Sequence, residues 1–411
     1  MYFLAFLLLY YNRLLTIFFI VVKRNSVFKN LIWRKREEMK NETDRWRKWK
    51  SVFAIAFIAA VATAIYLTID TYIMHHVILN EDPWIPVFTY LIMGGWTGTI
   101  CFWVFNKIIK SFTAWGVINW STVKDYKGFS IGCRKSQLFA LTTGSLGAIS
   151  TFFCLIGNKT LDASLVTAFN GVSIFYLAFI DSRRKKVNIK TLGIPLILII
   201  VGSFAASVSG GFVFTLFGLA IMLLGRDTTY ALDNTVQNVV VNRKEGDDPS
   251  AHRQSFGTRS LNRFLSYWQY GKDDSQIHLL NFNFWRFLWL SLSATIVIIG
   301  ITAWNNTLPV LLGLIGQIWL KAIPWIFCSM LFVFISLTLT LKAYSMVSST
   351  AKVQMIISLQ IAVGIPIALV FDQVSRGSVG TIPSDPYIWL VRGLGIVLMT
   401  IATAYLVRKT E

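Results

Sequence analysis

One apolar stretch of the sequence, "MLLGRDTTYALDNTVQNVVVNR" at residues 222–243, contains three charged residues that could carry chemistry. An α-helix would place Arg226, Tyr230 and Asp233 on one face, with Asp227 beside them. A guanidinium can bind a carboxylate, and a carboxylate can bind a cation or a proton. The stretch therefore predicts a substrate-binding site for a small molecule, formed by these four residues.

The length of this helix predicts that the charges lie inside a membrane. Residues 212–224 are apolar and span only about 20 Å as a helix, whereas a hydrocarbon core is about 30 Å thick. Arg226 and Asp227 should then lie in its inner third, with Asp233 near the inner boundary. A charge facing lipid costs about 2.5–3.5 kcal/mol, so these side chains should face a cavity. The alternative is a structural ion pair of Arg226 with Asp227 or Asp233.

Four polar residues in other apolar stretches are further candidates. Asp70 follows Tyr66 by four positions in the first stretch, and Asp70 and Asp233 are the acids that could couple transport to an ion or a proton. Asp70 could equally reach the outer interface. Asn170 and Gln360 lie near the middle of two later stretches, where an amide either bridges helices or binds a ligand. We count Tyr66, Asn170 and Gln360 as substrate-binding candidates.

The composition is that of an integral membrane protein. Of the 411 residues, 55% are hydrophobic and 14% are charged, which excludes an ordinary soluble enzyme. The net charge of +19 comes from basic residues between apolar runs, which is typical of cytoplasmic loops and not of a nucleic-acid-binding module. The sequence has no Walker loop, GxSxG or HExxH motif, and its cysteines lack metal-site spacing, so we predict no enzyme activity, cofactor or metal.

Ten apolar stretches are long enough to cross a membrane. They lie near residues 51–73, 84–106, 137–157, 161–180, 191–208, 212–236, 283–304, 322–341, 351–371 and 387–407. Lys and Arg are concentrated in alternate links, including the loop 243–282, which predicts that both ends of the ten-helix core are cytoplasmic. Residues 1–44 form an N-terminal extension, which contains either an additional helix or an upstream, misassigned start.

The two halves of the core, residues 45–210 and 211–411, resemble each other. The stretches "DASLVTAFNGVSIFYLAFID" and "TAKVQMIISLQIAVGIPIALVFD" both begin with small and polar residues and end on an aspartate, and a glycine-containing stretch follows each. Because each half has five spans, the halves must be inverted relative to one another. Inverted repeats are typical of secondary transporters, whose substrate site lies at the repeat interface.

This arrangement resembles the drug/metabolite transporter superfamily, EamA type. The fourth and ninth spans end on Asp181 and Asp372, where family members usually have Gly-Glu, and Asn170 and Gln360 replace a common mid-helix proline. The resemblance covers about residues 45–408. It implies an exporter of small metabolites that works by alternating access without ATP hydrolysis.

We therefore predict an all-α integral membrane protein with two inverted five-helix repeats around a central cavity. It would transport a small metabolite, such as an amino acid or a drug-like amphipathic compound, and its partners would be this substrate and the lipid bilayer. A homodimer is left open. The alternatives are a membrane-embedded enzyme acting on lipid-linked substrates, and a non-transporting receptor or assembly protein with a side-chain-filled interior.

Overall fold

The computed structural model has an all-helical fold. It describes residues 36–82, 84–114, 126, 128–160, 163–183, 189–208, 216–242, 277–347, 349–375 and 385–409. The chain divides into two units, Met1–Lys50 with Glu411, and Ser51–Thr410. In the first unit the described residues are helical, and all side-chain contacts described below lie in the second unit. The predicted additional helix before residue 36 and loop residues 243–276 lie outside the described residues.

Twelve α-helices and two π-helical segments form the regular structure of the residues described. The first half of the chain contains α1 (Arg36–Tyr72), a π-helical segment (Ile73–Val77), α2 (Trp84–Ala114), α3 (Arg134–Thr160), α4 (Ala163–Arg183) and α5 (Ile189–Ala206). The second half contains α6 (Leu216–Ala220), a π-helical segment (Ile221–Asp227), α7 (Thr228–Val241), α8 (Leu279–Trp304), α9 (Leu308–Met346), α10 (Thr350–Ile357), α11 (Gln360–Ser375) and α12 (Pro386–Lys409).

Seven helices among the described residues are long and apolar enough to cross a membrane. They are Trp49–Val77, Trp84–Phe112, Arg134–Gly157, Leu279–Trp304, Leu308–Met346, Thr350–Gln373 and Pro386–Tyr405. Each of them overlaps a span predicted from the sequence. The described residues of the other three predicted spans contain helices as well, namely α4, α5 and the run from α6 to α7. The fold is thus compatible with a multi-pass integral membrane protein.

Helix α9 is longer than the sequence indicated. Residues 305–317 were predicted as a link, but α9 begins at Leu308 and runs for 39 residues, which is about 58 Å. Asn306 turns the chain into α9 with a φ of 56°. Leu311 and Leu314 of this segment are buried at helical spacing and pack into the core.

The segment before α3 is bound to the beginning of α8. Nδ2 of Asn281 donates a hydrogen bond to the carbonyl oxygen of Gly128 at 2.9 Å, and the Tyr126 hydroxyl donates to Oδ1 of Asn281 at 3.3 Å. Nε1 of Trp285 donates to the carbonyl oxygen of Ser130 at 3.0 Å. Burial raises the pKa of Tyr126 to about 12, so its hydroxyl keeps its proton and remains a donor at neutral pH.

Glycines bring the backbones of α5 and α12 into contact. A Cβ atom added to Gly395 would lie 2.6 Å from the carbonyl oxygen of Gly202 and would also overlap the backbone nitrogen of Ala206. A Cβ atom on Gly202 would in turn lie 2.8 Å from the carbonyl oxygen of Gly395. Small residues at such crossings stabilise helix pairs through close van der Waals contact. The fifth and tenth predicted spans are therefore packed directly against each other.

Replacement of Gly395 by alanine should destabilise the protein by roughly 1–3 kcal/mol, because the new methyl group meets backbone that cannot move aside. The matched control is Gly393→Ala on the same helix, since a Cβ atom there meets nothing within 4 Å. We expect a lower melting temperature of the purified protein in detergent for Gly395→Ala alone. Equal melting temperatures for the two variants would contradict this account of the crossing.

Candidate functional site

The residues Gly225, Arg226 and Asp227 lie in the π-helical segment between α6 and α7. A π-helical turn inserts an additional residue into an α-helix and is frequent at functional sites. A Cβ atom on Gly225 would lie 2.8 Å from the ring of Phe153, so the glycine allows α3 to approach this turn. The two charged side chains are therefore carried by an irregular backbone that is enclosed by a neighbouring helix.

Arg226 and Asp227 form a buried ion pair. Nη1 of Arg226 lies 2.6 Å from Oδ1 of Asp227, and their side chains are 7% and 0% exposed. The guanidinium also lies over the ring of Tyr230, 5.0 Å from its centre. The sequence analysis gave Asp227 or Asp233 as the partner of Arg226 in a structural ion pair, and Arg226 is paired with Asp227. The pair is electrically neutral, which lowers the free energy of burying either charge.

Arg226 lies within a continuous helical run. The run from Leu216 continues through the π-helical segment to Val241, so Arg226 lies near the middle of the part of this run that the structure describes. Several polar residues of α7, among them Asp233, Asn234 and Gln237, are buried within the protein. The depth of Arg226 in the membrane stays a prediction.

Asp233 is paired with an arginine that the sequence analysis missed. Nη2 of Arg286 on α8 lies 2.6 Å from Oδ2 of Asp233, and their side chains are 7% and 3% exposed. Arg286 is the one basic residue inside the predicted span 283–304, which was the available signal. An acid buried in one span needs a cation from another span. Arg286 could therefore have been predicted as the partner of a buried acid.

Asp70 and Tyr66 join the cluster from α1. Asp70 accepts hydrogen bonds from the hydroxyl groups of Tyr90 and of Ser329, the latter at 2.5 Å. Tyr66 interacts electrostatically with Asp70 and also with Tyr230 and Arg226. Tyr66 belongs to the first half of the chain, whereas Tyr230 and Arg226 belong to the second. Tyr66, Asp70 and Tyr230 are each partly exposed. The structure therefore brings four of the predicted site residues together.

Tyr230 and Asn234 also belong to a network that joins α7, α9 and α10. The Tyr230 hydroxyl donates to Oε1 of Gln354 at 3.1 Å, and Nε2 of Gln354 donates to Oδ1 of Asn234 at 3.1 Å. The Tyr344 hydroxyl, which accepts from Nε2 of Gln354 at 2.5 Å, donates to the same Oδ1 at 2.7 Å. One and two turns further, the amides of Asn238 and Asn242 donate to backbone carbonyl groups at the end of α9.

Gln360 and Asn170 occupy different surroundings. The predicted ninth span is interrupted at Ser358 and Leu359, and Gln360 is the first residue of α11 after this interruption. Its side chain is buried, and its Oε1 atom has no hydrogen-bond partner. Asn170 lies on α4, and its side chain is outside the part that the structure describes.

Asp181 stabilises the beginning of α10. Its Oδ2 atom accepts hydrogen bonds from the Ser349 hydroxyl at 2.8 Å and from the backbone nitrogen of Ala351 at 2.9 Å. Ser349 is itself the N-cap residue of α10 and accepts from the backbone nitrogen of Lys352. The aspartate at the end of α4 therefore acts as a helix cap on its neighbour.

The described residues contain no group of three or more His, Cys, Asp and Glu side chains that could hold a metal ion. One crevice of about 400 Å³ lies between the beginning of α2, the second half of α3 and the end of α8. None of the candidate residues lines this crevice. The chemistry of the candidate site is therefore that of its two ion pairs, its tyrosines and its amides, which can bind a polar ligand and exchange a proton.

No protein-family model matches the sequence, and no curated protein is significantly similar to it.

Removal of one partner from the Arg286–Asp233 pair should be more damaging than removal of both charges. Arg286→Gln leaves a buried carboxylate uncompensated and should destabilise the protein by about 3–5 kcal/mol. The double variant Arg286→Gln with Asp233→Asn removes both charges and keeps amides that can hydrogen-bond. We expect its melting temperature in detergent to lie much closer to that of the original protein. A double variant as unstable as Arg286→Gln would contradict this reading.

Proposed function

We propose that this protein is a secondary transporter of small metabolites, built from ten membrane-crossing helices in two inverted halves. The single observation that carries the proposal is the polar cluster between α1 of the first half and α7 of the second. It contains Asp70, Tyr66, Tyr230 and Arg226. A site at the interface of two repeats is where such transporters bind substrate.

The partial exposure of this cluster supports a cavity. Tyr66, Asp70 and Tyr230 keep accessible surface in the interior of the fold, among hydrophobic side chains of α1, α2 and α9. A carboxylate that faced hydrocarbon would cost about 2.5–3.5 kcal/mol. The accessible surface of Asp70 should therefore not face lipid. A water-accessible space beside these side chains has the polarity that a small metabolite requires.

The internal similarity of the halves supports the inverted arrangement. Helices α5 and α12, which are the last members of their halves, pack directly against each other through Gly202 and Gly395. One π-helical segment, Ile73–Val77, begins at the end of the first predicted span of the first half, and the other, Ile221–Asp227, lies within the first predicted span of the second half. With both ends of the core in the cytoplasm, this arrangement agrees with the resemblance to the drug/metabolite transporter superfamily.

The residues suggest how substrate and conformation are coupled. Arg226 would contact a polar group of the substrate while it remains paired with Asp227, and Tyr230 and Tyr66 would contact the apolar part of the substrate. Binding would then weaken the contact of Tyr230 with Gln354, and with it the network that joins α7, α9 and α10. The interrupted backbone between α10 and α11 and the π-helical segment of Arg226 are the positions at which these helices can bend.

The surroundings of the acids favour transport over lipid-linked catalysis. Such an enzyme would need several acids at one open cleft, and Asp181, Asp227 and Asp233 are the acids that could form one. Each has different partners in the structure, on α10, within the π-helical segment and on α8 respectively. A binding site with two separate neutral ion pairs is better suited to holding a polar substrate than to acid–base chemistry.

Expression of the protein in cells should change the distribution of one or a few small metabolites between cells and medium. The double variant Arg226→Gln with Asp227→Asn should lower this transport at least tenfold, because the substrate loses a cationic partner while no unpaired charge is created. Asp82→Asn, outside the cluster, is the control and should retain full transport. An untargeted metabolite comparison measures the effect. Unchanged metabolite distributions, or full transport by the double variant, would refute the proposal.

Asp70 should determine whether transport responds to a proton gradient. In proteoliposomes that contain the protein and the metabolite found by the cell experiment, an imposed pH gradient should accelerate uptake by the original protein. Asp70→Asn keeps the hydrogen-bond acceptor for Tyr90 and Ser329 but cannot exchange a proton with water. We expect the variant to transport without any response to the gradient. A response of normal size in the variant would exclude Asp70 from coupling.

A further inference from the structure

The ion pair between Arg286 and Asp233 has unused hydrogen-bonding atoms. Nε and Nη1 of Arg286 and Oδ1 of Asp233 are buried and have no hydrogen-bond partner. One turn further along α7, Oε1 of Gln237 is also buried and unpartnered, and the residue is 1% exposed. Buried polar atoms are nearly always satisfied, so four such atoms on two facing helices indicate that something polar binds between them.

The unpartnered atoms define the chemistry of this ligand. Arg286 presents N–H donors, which suit a carboxylate, and the guanidinium favours such anions by charge as well as by geometry. Asp233 and Gln237 present oxygen acceptors, which suit the N–H groups of an ammonium. Because Arg286 and Asp233 are only 2.6 Å apart, the two kinds of group must be close together in the ligand as well.

The charge balance of the pair selects further. Arg286 and Asp233 together are neutral, and both side chains are more than nine-tenths buried. A ligand with a net charge would leave an uncompensated charge in this interior, at a penalty of several kcal/mol per ion. A ligand with one positive and one negative group can pair its negative group with Arg286 and its positive group with Asp233. The total charge of the site then remains zero.

The pair is continuous with the candidate site. Tyr230 interacts electrostatically with Arg226 on one side and with Asp233 and Arg286 on the other. A Cβ atom on Gly147 of α3 would lie 3.3 Å from Nη2 of Arg286, so the glycine allows the backbone of α3 to pack closely against the guanidinium. The pair is thus enclosed by α3 on this side and adjoins the cluster around Tyr230 on the other.

We propose that Arg286 and Asp233 form the recognition site for a zwitterionic metabolite of the α-amino-acid type, and this rests on the proposed transport function. Arg286 binds the carboxylate of the substrate, while Asp233 and Gln237 bind its ammonium. On binding, the substrate replaces the direct contact between Arg286 and Asp233. The protein thereby selects substrates that carry both charges over those that carry either one alone.

The test uses the purified full chain in detergent and measures ligand-induced shifts of the melting temperature. The probes are the twenty common amino acids and two matched series: leucine with 4-methylpentanoate and 3-methylbutylamine, and phenylalanine with 3-phenylpropanoate and 2-phenylethylamine. Each series keeps the side chain of the amino acid and removes one charged group at a time. We expect at least one amino acid to bind, and we expect the single-charge analogues to bind at least tenfold more weakly.

Two double variants separate recognition from folding. Arg286→Gln with Asp233→Asn removes both charges together, and it should fold but bind the amino acid at least tenfold more weakly. The matched control is Thr63→Val with Ser336→Ala, which removes another buried contact between helices, of 2.6 Å, outside the site. This control should bind the amino acid as the original protein does.

Three results would overturn the inference. The first is that no amino acid binds, in which case the site holds water alone. The second is that a single-charge analogue binds as tightly as the amino acid. The third is that the Arg286 and Asp233 double variant binds the amino acid as the original protein does. Measurement of amino-acid flux in proteoliposomes distinguishes this failure from failure of the proposed function. Amino-acid binding without flux would refute transport alone, whereas transport of another metabolite by a protein that binds no amino acid would refute the recognition site alone.

Discussion

The need to compensate buried charge determines how the helices of this protein are connected. Asp233 is held by Arg286 of α8, Asp181 by Ser349 and a backbone amide at the beginning of α10, and Asp70 by hydroxyl groups of α2 and α9. Each acid therefore links its own helix to at least one other. In an interior of low dielectric constant, separating such helices would expose a charge without a partner. The contacts thus specify which helices are neighbours, in addition to any stability that they provide.

Helix α7 combines this constraint with a second type of contact. Its residues Asn234, Asn238 and Asn242 bind the end of α9 through amide groups, whereas Asp233 binds through charge. Amide contacts between membrane helices average only about 0.6 kcal/mol each, so they can be broken singly. The same helix is therefore held firmly against α8 and more loosely against α9. A transporter needs this difference, since some helix contacts must persist through its cycle while others change.

The sequence predicted the elements of the fold better than their partners. Hydropathy is a local property, and seven of the ten apolar stretches overlap helices that are long and apolar enough to cross a membrane, while the other three contain helices in their described residues. The grouping of Tyr66, Asp70, Arg226 and Tyr230 followed from the internal repeat and agrees with their electrostatic contacts. Arg286 was missed because its pairing depends on how two helices face each other, and the spacing of residues within one helix cannot reveal that.

Other features have no local signature at all. The π-helical segment at Ile221–Asp227 adds one residue to a turn, and no periodicity of this length identifies it. The early beginning of α9 was missed because a membrane span requires only about 20 apolar residues, whereas α9 has 39 residues. In both places the backbone is determined by packing against α1, α2 or α3, and so by residues far away in the sequence.

The unbroken course of α9 has a thermodynamic consequence. Ser329 binds Asp70, and fifteen residues later on the same helix Tyr344 binds Asn234 and Gln354. A rod of about 22 Å thus joins the two groups of contacts, and the helix cannot be displaced at one without effect on the other. By reciprocity, if release of Tyr344 changes the affinity of Asp70 for a cation by some factor, occupation of Asp70 changes the release of Tyr344 by the same factor. Energy from an ion gradient could therefore be drawn upon without any direct contact between ion and substrate.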